Sequence, residues 1–171
     1  GNAGNITAYW KGYNEYRENG ISKRLPQMWG FQAARAAPLV LGHPVDEPDT
    51  VATAIRIGNP ASWTQAETAR DDSGGLIDSV TDDEILAAHK ILSGEEGIFV
   101  EPGSAASVAG LLEMADAGRI PADATIAVTV TGHGLKDPSW ALHTADGSDI
   151  ETKRVSVDAV SAARALGLED S

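Results

Sequence analysis

The chain has 171 residues, enough for one domain with its own core and too few for two comfortable ones. Its 25 acids against 13 bases leave a formal charge of −12, which disfavours nucleic acid and anionic membranes as partners, and the lack of cysteine excludes disulfides, thiolate metal sites and thiol nucleophiles. Hydrophobic residues at 42% and charged residues at 22% fit neither disorder nor a coiled coil, and no apolar run approaches the roughly 18 residues of a membrane span, so the chain reads as soluble and cytoplasmic.

The chain opens with Gly1-Asn2-Ala3-Gly4-Asn5 and runs at once into a helical pattern, with Ile6, Tyr9, Trp10 and Tyr13 on one face and Asn19-Gly20 as the stop. A glycine-rich turn entering a helix normally hangs from a strand, and none precedes it, so the expectation is the downstream part of something longer. Leu25 to Phe31 suggests a short strand, and the small apolar stretch Ala33 to Leu41 suggests close packing. Pro44 and Pro48 mark a turn-rich acidic stretch, and Asn59-Pro60 leads into a polar helix over Ala61 to Arg70. Leu76 to Val80 is a further short strand, followed by the capping box Thr81-Asp82-Asp83-Glu84 and a helical stripe through Ile85, Ala88, His89 and Leu92. Pro102 starts a helix of small residues that Gly118 closes. Ala124 to Val130 gives the clearest strand, apolar on both alternations as a buried parallel strand should be. A short strand near Lys153 to Val155 and a helix from Ser156 to Leu166 complete the chain. Alternating strands and helices predict an α/β domain with a mostly parallel sheet flanked by helices.

Ligands of such sheets bind on loops at strand ends that enter helices. In Gly1-Asn2-Ala3-Gly4-Asn5 the glycines permit close backbone approach, the amides can share one concavity, and the next helix offers its positive dipole end, all of which suit a phosphate monoester. A plain helix-entry turn accounts for the same five residues. The run is neither a P-loop, lacking lysine and serine or threonine after the last glycine, nor a dinucleotide fingerprint, whose spacing it misses. The second loop, Thr131-Gly132-His133-Gly134, sets a hydroxyl between a strand end and two glycines, where it could face a flat ligand; a tight turn bonding its own backbone is the alternative. The four histidines have no metal-site spacing. His89 reads as packed, His43 and His143 as exposed, and His133 alone lies in a candidate site. Glu101-Pro102-Gly103-Ser104 is a third candidate edge, and Arg35 and Arg56 are candidate anion clamps or surface arginines.

Five blocks taken in order, GNAGNITAYW, GFQAARAAPLVLG, ATAIRIGNPASW, EEGIFVEPGSAAS and TVTGHGLKDP, closely resemble threonine synthase, a family of the second pyridoxal-phosphate fold type (the tryptophan synthase β-like fold). The likeness runs from Gly1 to about Trp140. It implies conversion of O-phospho-L-homoserine and water to L-threonine and phosphate, with pyridoxal 5'-phosphate as cofactor and a homodimeric parent enzyme. By the same resemblance Gly1, Asn2, Ala3, Gly4 and Asn5 hold the cofactor phosphate, and Thr131 meets the pyridine nitrogen. A neutral hydroxyl there does not enforce a pyridinium. Asn5 or Arg56 are candidates for a second anion site, for the substrate phosphate. The family's Schiff-base lysine lies upstream of the GNAGN block, so residues 1–171 are expected to be the C-terminal part of a longer catalytic domain, without its upstream half and inactive alone. Another lyase of this fold type, such as a threonine or serine dehydratase, and a non-enzymatic phosphate-ligand domain are the rival readings.

Overall fold

The computed structural model describes residues 1–137, 140 and 153–168. It divides into two compact units, Gly1–Asp137 and Pro138–Ser171.

In the first unit α1 spans Gly4–Glu18 and ends at Asn19. Its apolar face is narrower than the sequence suggests. Trp10 is buried with Met28 and Ala69, and Ile6 and Leu25 pack beside them, whereas Tyr9 and Tyr13 lie at the surface. Strand β1 covers Trp29–Ala33 rather than Leu25–Phe31. Pro26 has no amide to donate, and the Met28 amide is already given to Ser73 Oγ at 3.0 Å, so Met28 joins the ladder only through its carbonyl, which accepts from Leu76 N at 3.1 Å, and paired residues begin at Trp29. The small run that follows folds into a 3-10 turn, Ala34–Ala36, and the short helix α2, Pro38–Leu41, with Ala33, Ala36, Ala37 and Leu39 buried.

Helix α3 spans Trp63–Ser73 and leads into β2, Leu76–Val80, which pairs with β1 in parallel from Trp29↔Leu76 to Ala33↔Val80. Helix α4, Asp82–Gly94, opens on the expected capping box: Glu84 N donates to Thr81 Oγ1 at 3.3 Å, and Thr81 N donates to Glu84 Oε2 at 2.7 Å. Helix α5, Pro102–Asp116, packs on both strands and on α4. Its inner face is Ser104, Ala105, Ala106, Ala109, Gly110 and Met114, small enough to bring its backbone close to the sheet. Ala33, Ala52, Val80, Ile85, Ala88, Leu92 and Val100 complete this core.

The clearest predicted strand is not a strand. Residues 124–129 are exposed and unassigned to any sheet, with Ile126 at 48% exposure and Val128 at 37%. Alternation and β-branching favour extended backbone, but a strand exists only by its ladder, and among the described residues the two-stranded sheet offers this segment no partner. Pairing appears just beyond it, as a single antiparallel bridge between Val100 and His133.

In the second unit Lys153 to Val155 is likewise exposed and belongs to no sheet among the described residues. The last helix, α6, is shorter than Ser156 to Leu166. It spans Ala159–Ala165 because Asp158 caps it, accepting from Ser161 N at 2.8 Å.

Candidate functional site

The opening loop is fixed at both flanks. Asn2 accepts two amides from the chain entering α3: Ala61 N reaches its Oδ1 at 3.3 Å and Ser62 N its carbonyl at 3.2 Å. Gly1 lies on the 3-10 turn Thr53–Ile55, where a Cβ would come within 3.1 Å of Ala54 O. Ala3 then adopts φ 60°, ψ 16°, the one left-handed non-glycine among the described residues, at a cost of about 1–2 kcal/mol for an L-residue. Its carbonyl is claimed by Thr7, whose Oγ1 donates at 2.9 Å.

A left-handed residue followed by right-handed helix turns successive amides into one concavity, a nest for an anion. No side chain caps α1 and no acid stands in its first turn, so the donors and the dipole there face outward uncompensated. A Cβ on Gly4 would meet nothing within 4 Å, so the mouth is open.

The second loop is held by α5. Gly132 N donates to the buried Ser104 Oγ at 2.6 Å, and Gly132 O accepts from Glu101 N at 3.0 Å. Ser104 Oγ also lies 3.2 Å from Gly132 O and 3.4 Å from Thr131 Oγ1. Thr131 itself is exposed, with its hydroxyl in reach of Ser104. The Phe99 ring stands edge-on to His133 with centroids 5.6 Å apart, and Phe99 O accepts from Gly134 N at 3.2 Å. His133 Nδ1 accepts from Leu135 N at 3.2 Å, and Lys136 Nζ stands 4.0 Å from the Glu101 carboxylate.

The Thr53–Ile55 turn touches the opening loop at Gly1 and the start of α5 at Gly103. A Cβ on Gly103 would meet Ala54 Cβ at 3.3 Å and Ile55 Cγ2 at 3.5 Å. Thr53 Oγ1 donates to Asp137 Oδ2 at 2.8 Å, just past the second loop. Gly103 precedes Ser104, the residue that contacts Thr131, so this short segment abuts both the edge of the opening loop and the helix start that holds the second loop. Arg56 caps that segment, exposed and without an ion pair among the described residues.

The other candidates fall away from this place. Arg35 is a surface residue paired with Asp49. His89 Nε2 meets Val100 O at 2.8 Å, a packing role, and His43 lies exposed against Pro44 O. His143 lies outside the described residues. Among them no group of three or more His, Cys, Asp or Glu is placed to hold a metal, and no helix is long and apolar enough to cross a membrane. Ser104 and Phe99, which support the second loop, went unassigned in the sequence. The only signal for Ser104 was its place beside Pro102-Gly103 in a helix start.

The profile of the family described as "Pyridoxal-phosphate dependent enzyme" matches residues 1–132. Threonine synthase of Mycobacterium leprae is 56% identical over 168 residues, 98% of this chain and 46% of that protein. Threonine synthase of a Synechocystis species is 57% identical over 142 residues, 83% of this chain and 37% of that protein. The chain thus spans under half the length of these curated relatives. Among solved structures, a T.th. threonine deaminase superposes with a TM-score of 0.54 at 21% identity, covering 71% of this chain and 43% of that one, a likeness of fold.

Proposed function

We propose that this chain, which belongs to the pyridoxal-phosphate-dependent enzymes, is the cofactor-gripping C-terminal part of a threonine synthase, an enzyme that converts O-phospho-L-homoserine and water to L-threonine and phosphate. The observation that supports the reading is that Gly1, at the edge of the nest, and Gly103, next to the Ser104 that contacts Thr131, both abut the turn Thr53–Ile55. The donor chemistry fits a small dianion joined to a flat heteroaromatic ring. The amides of the Ala3–Asn5 turn take the phosphate without any basic side chain, and Thr131 meets the ring nitrogen without imposing a proton on it. When bound, the cofactor would supply an electron sink for proton removal at the substrate's amine-bearing carbon. Asn2 spends its side-chain oxygen on Ala61 N, so its share in the cofactor site is its backbone and its amide nitrogen. Asn5 and Arg56 are our candidates for the phosphate that leaves the substrate, Arg56 because its charge is exposed beside the nest.

No lysine of this chain is assigned to the cofactor aldehyde. Lys11 pairs with Glu15 on α1 at 3.7 Å, and Lys136 faces Glu101. We place that lysine in the region of the longer relatives that has no counterpart here, so the isolated chain binds cofactor non-covalently and does not turn over. A cytoplasmic location and a homodimeric parent belong to the same reading.

Titration of the chain with pyridoxal 5'-phosphate and with pyridoxal, followed by tryptophan fluorescence, tests the grip. The phosphate ester should bind at least tenfold more tightly, and inorganic phosphate should compete. Equal affinity for the two would refute the nest. In the longer enzyme that contains this sequence, release of phosphate and threonine from O-phospho-L-homoserine is expected; activity confined to the deamination of threonine would instead favour a dehydratase.

A further inference from the structure

We propose that Ser104 is a positioning residue that sets the hydrogen-bond polarity of Thr131, making the threonine hydroxyl a donor toward the cofactor ring nitrogen. The inference rests on the cofactor reading above and goes one shell behind it. A backbone amide can only donate, so in the 2.6 Å contact between Gly132 N and Ser104 Oγ the serine oxygen is the acceptor. Ser104 keeps one proton of its own, and two acceptors lie within reach: Gly132 O at 3.2 Å and Thr131 Oγ1 at 3.4 Å. Ser104 is 3% exposed, which leaves solvent little part in the choice.

The two positions of that proton have opposite consequences. Turned to Gly132 O, it leaves a serine lone pair for Thr131, whose own proton then points inward and whose oxygen faces the ligand as an acceptor. Turned to Thr131 Oγ1, it frees the threonine proton to point outward as a donor. A pyridine nitrogen carries a lone pair and, with no carboxylate set against it, no enforced proton, so it needs a donor. Gly132 O already accepts from Glu101 N at 3.0 Å, which lowers its demand for the serine proton. The ordered run is then Gly132 N–H to Ser104 Oγ–H to Thr131 Oγ1–H to the ring nitrogen, each hydroxyl accepting once and donating once. Such a run polarises cooperatively from its fixed amide end.

The signal of a ring-15N-labelled pyridoxal 5'-phosphate bound to the protein reads the bond directly, without turnover. A hydrogen bond to an unprotonated pyridine nitrogen shifts its resonance upfield. We expect Ser104→Ala and Thr131→Val both to move the signal downfield, toward the unbonded base, and Ser104→Thr, which keeps the hydroxyl, to leave it in place. Loss of one hydrogen bond should also weaken cofactor binding about fivefold. Should Ser104→Ala fail to fold, Ser104→Cys, whose thiol is a weak donor, replaces it with the same expected shift. A signal moved by Thr131→Val and untouched by the Ser104 variants overturns this inference and leaves the cofactor site standing. Absence of binding by the unaltered protein, or a signal indifferent to Thr131→Val, overturns the cofactor reading and this inference with it.

Discussion

Gly110 sits in the middle of α5, where alanine would ordinarily stabilise a helix by about 1 kcal/mol. A Cβ built there falls 2.2 Å from Phe31 Cγ and Cδ1 and 2.4 Å from Cε1, inside the ring. Ordinary contact begins near 3.4 Å, so the helix and the ring must separate by about 1.2 Å. Phe31 lies on β1, packed against the main core, and α5 also packs on α4, so either partner can move only by disturbing further contacts. Overpacking of this kind costs about 1–3 kcal/mol, and two ring carbons at 2.2 Å put this case in the upper part, about 2–3 kcal/mol, so after the helical gain of about 1 kcal/mol Gly110→Ala should destabilise the protein by about 1–2 kcal/mol. Urea unfolding followed by circular dichroism measures it, with a lower midpoint and an unchanged slope expected. In the double variant with Phe31→Ala the clash is gone, so the cost of the alanine should vanish and the cycle should show coupling of at least about 1 kcal/mol. A Gly110→Ala protein as stable as the original, or an additive cycle, would refute the claim that α5 is pressed against this ring.

Thr81→Ala removes half of a reciprocal cap on α4 and should cost about 0.5–2 kcal/mol in the same unfolding assay, with Thr81→Ser recovering most of it. Glu113 on α5 is held above the ordinary carboxylate range, chiefly by desolvation and further by repulsion from Glu84 and Asp78. A carboxyl whose folded-state pKa is raised opposes folding once ionised, a penalty absent below its unfolded value and complete above its folded one. Glu113→Gln should therefore gain stability relative to the original as pH rises from 4 to 7, and a difference constant across that window would contradict the assignment.

Features set by neighbours in the chain were legible in the sequence. Strand β2 has the predicted bounds, Leu76–Val80, and the Thr81–Glu84 box caps α4 as its spacing requires, because both depend on contacts a few residues apart. Features set at a distance were not. Ala124 to Val130 carries a strand's composition, yet alternation cannot report whether another strand lies beside it. The early start given to β1 failed on one bond, from Met28 N to Ser73 Oγ, across 45 positions. Ser104 falls in the candidate edge Glu101–Ser104, but nothing in the sequence ties it to the second loop, since its partners Thr131 and Gly132 come 27 and 28 residues later.

The glycines of the second loop have a second physical reason besides the one their sequence position suggests. Beside a candidate hydroxyl, Gly132 and Gly134 suggest clearance for a flat ligand. The structure assigns their missing side chains to the protein as well. A Cβ on Gly132 would fall 1.7 Å from Glu101 Oε1, and one on Gly134 would fall 2.3 Å from the Phe99 ring. Both residues are buried, whereas Thr131 and His133 between and before them are exposed. The loop is thus a backbone pressed onto a carboxylate and an aromatic ring, with alternate residues left outside. That alternation leaves Thr131 exposed and depends on the Gly132 amide reaching Ser104 at 2.6 Å, which no bulkier residue in contact with Glu101 would permit without moving that carboxylate.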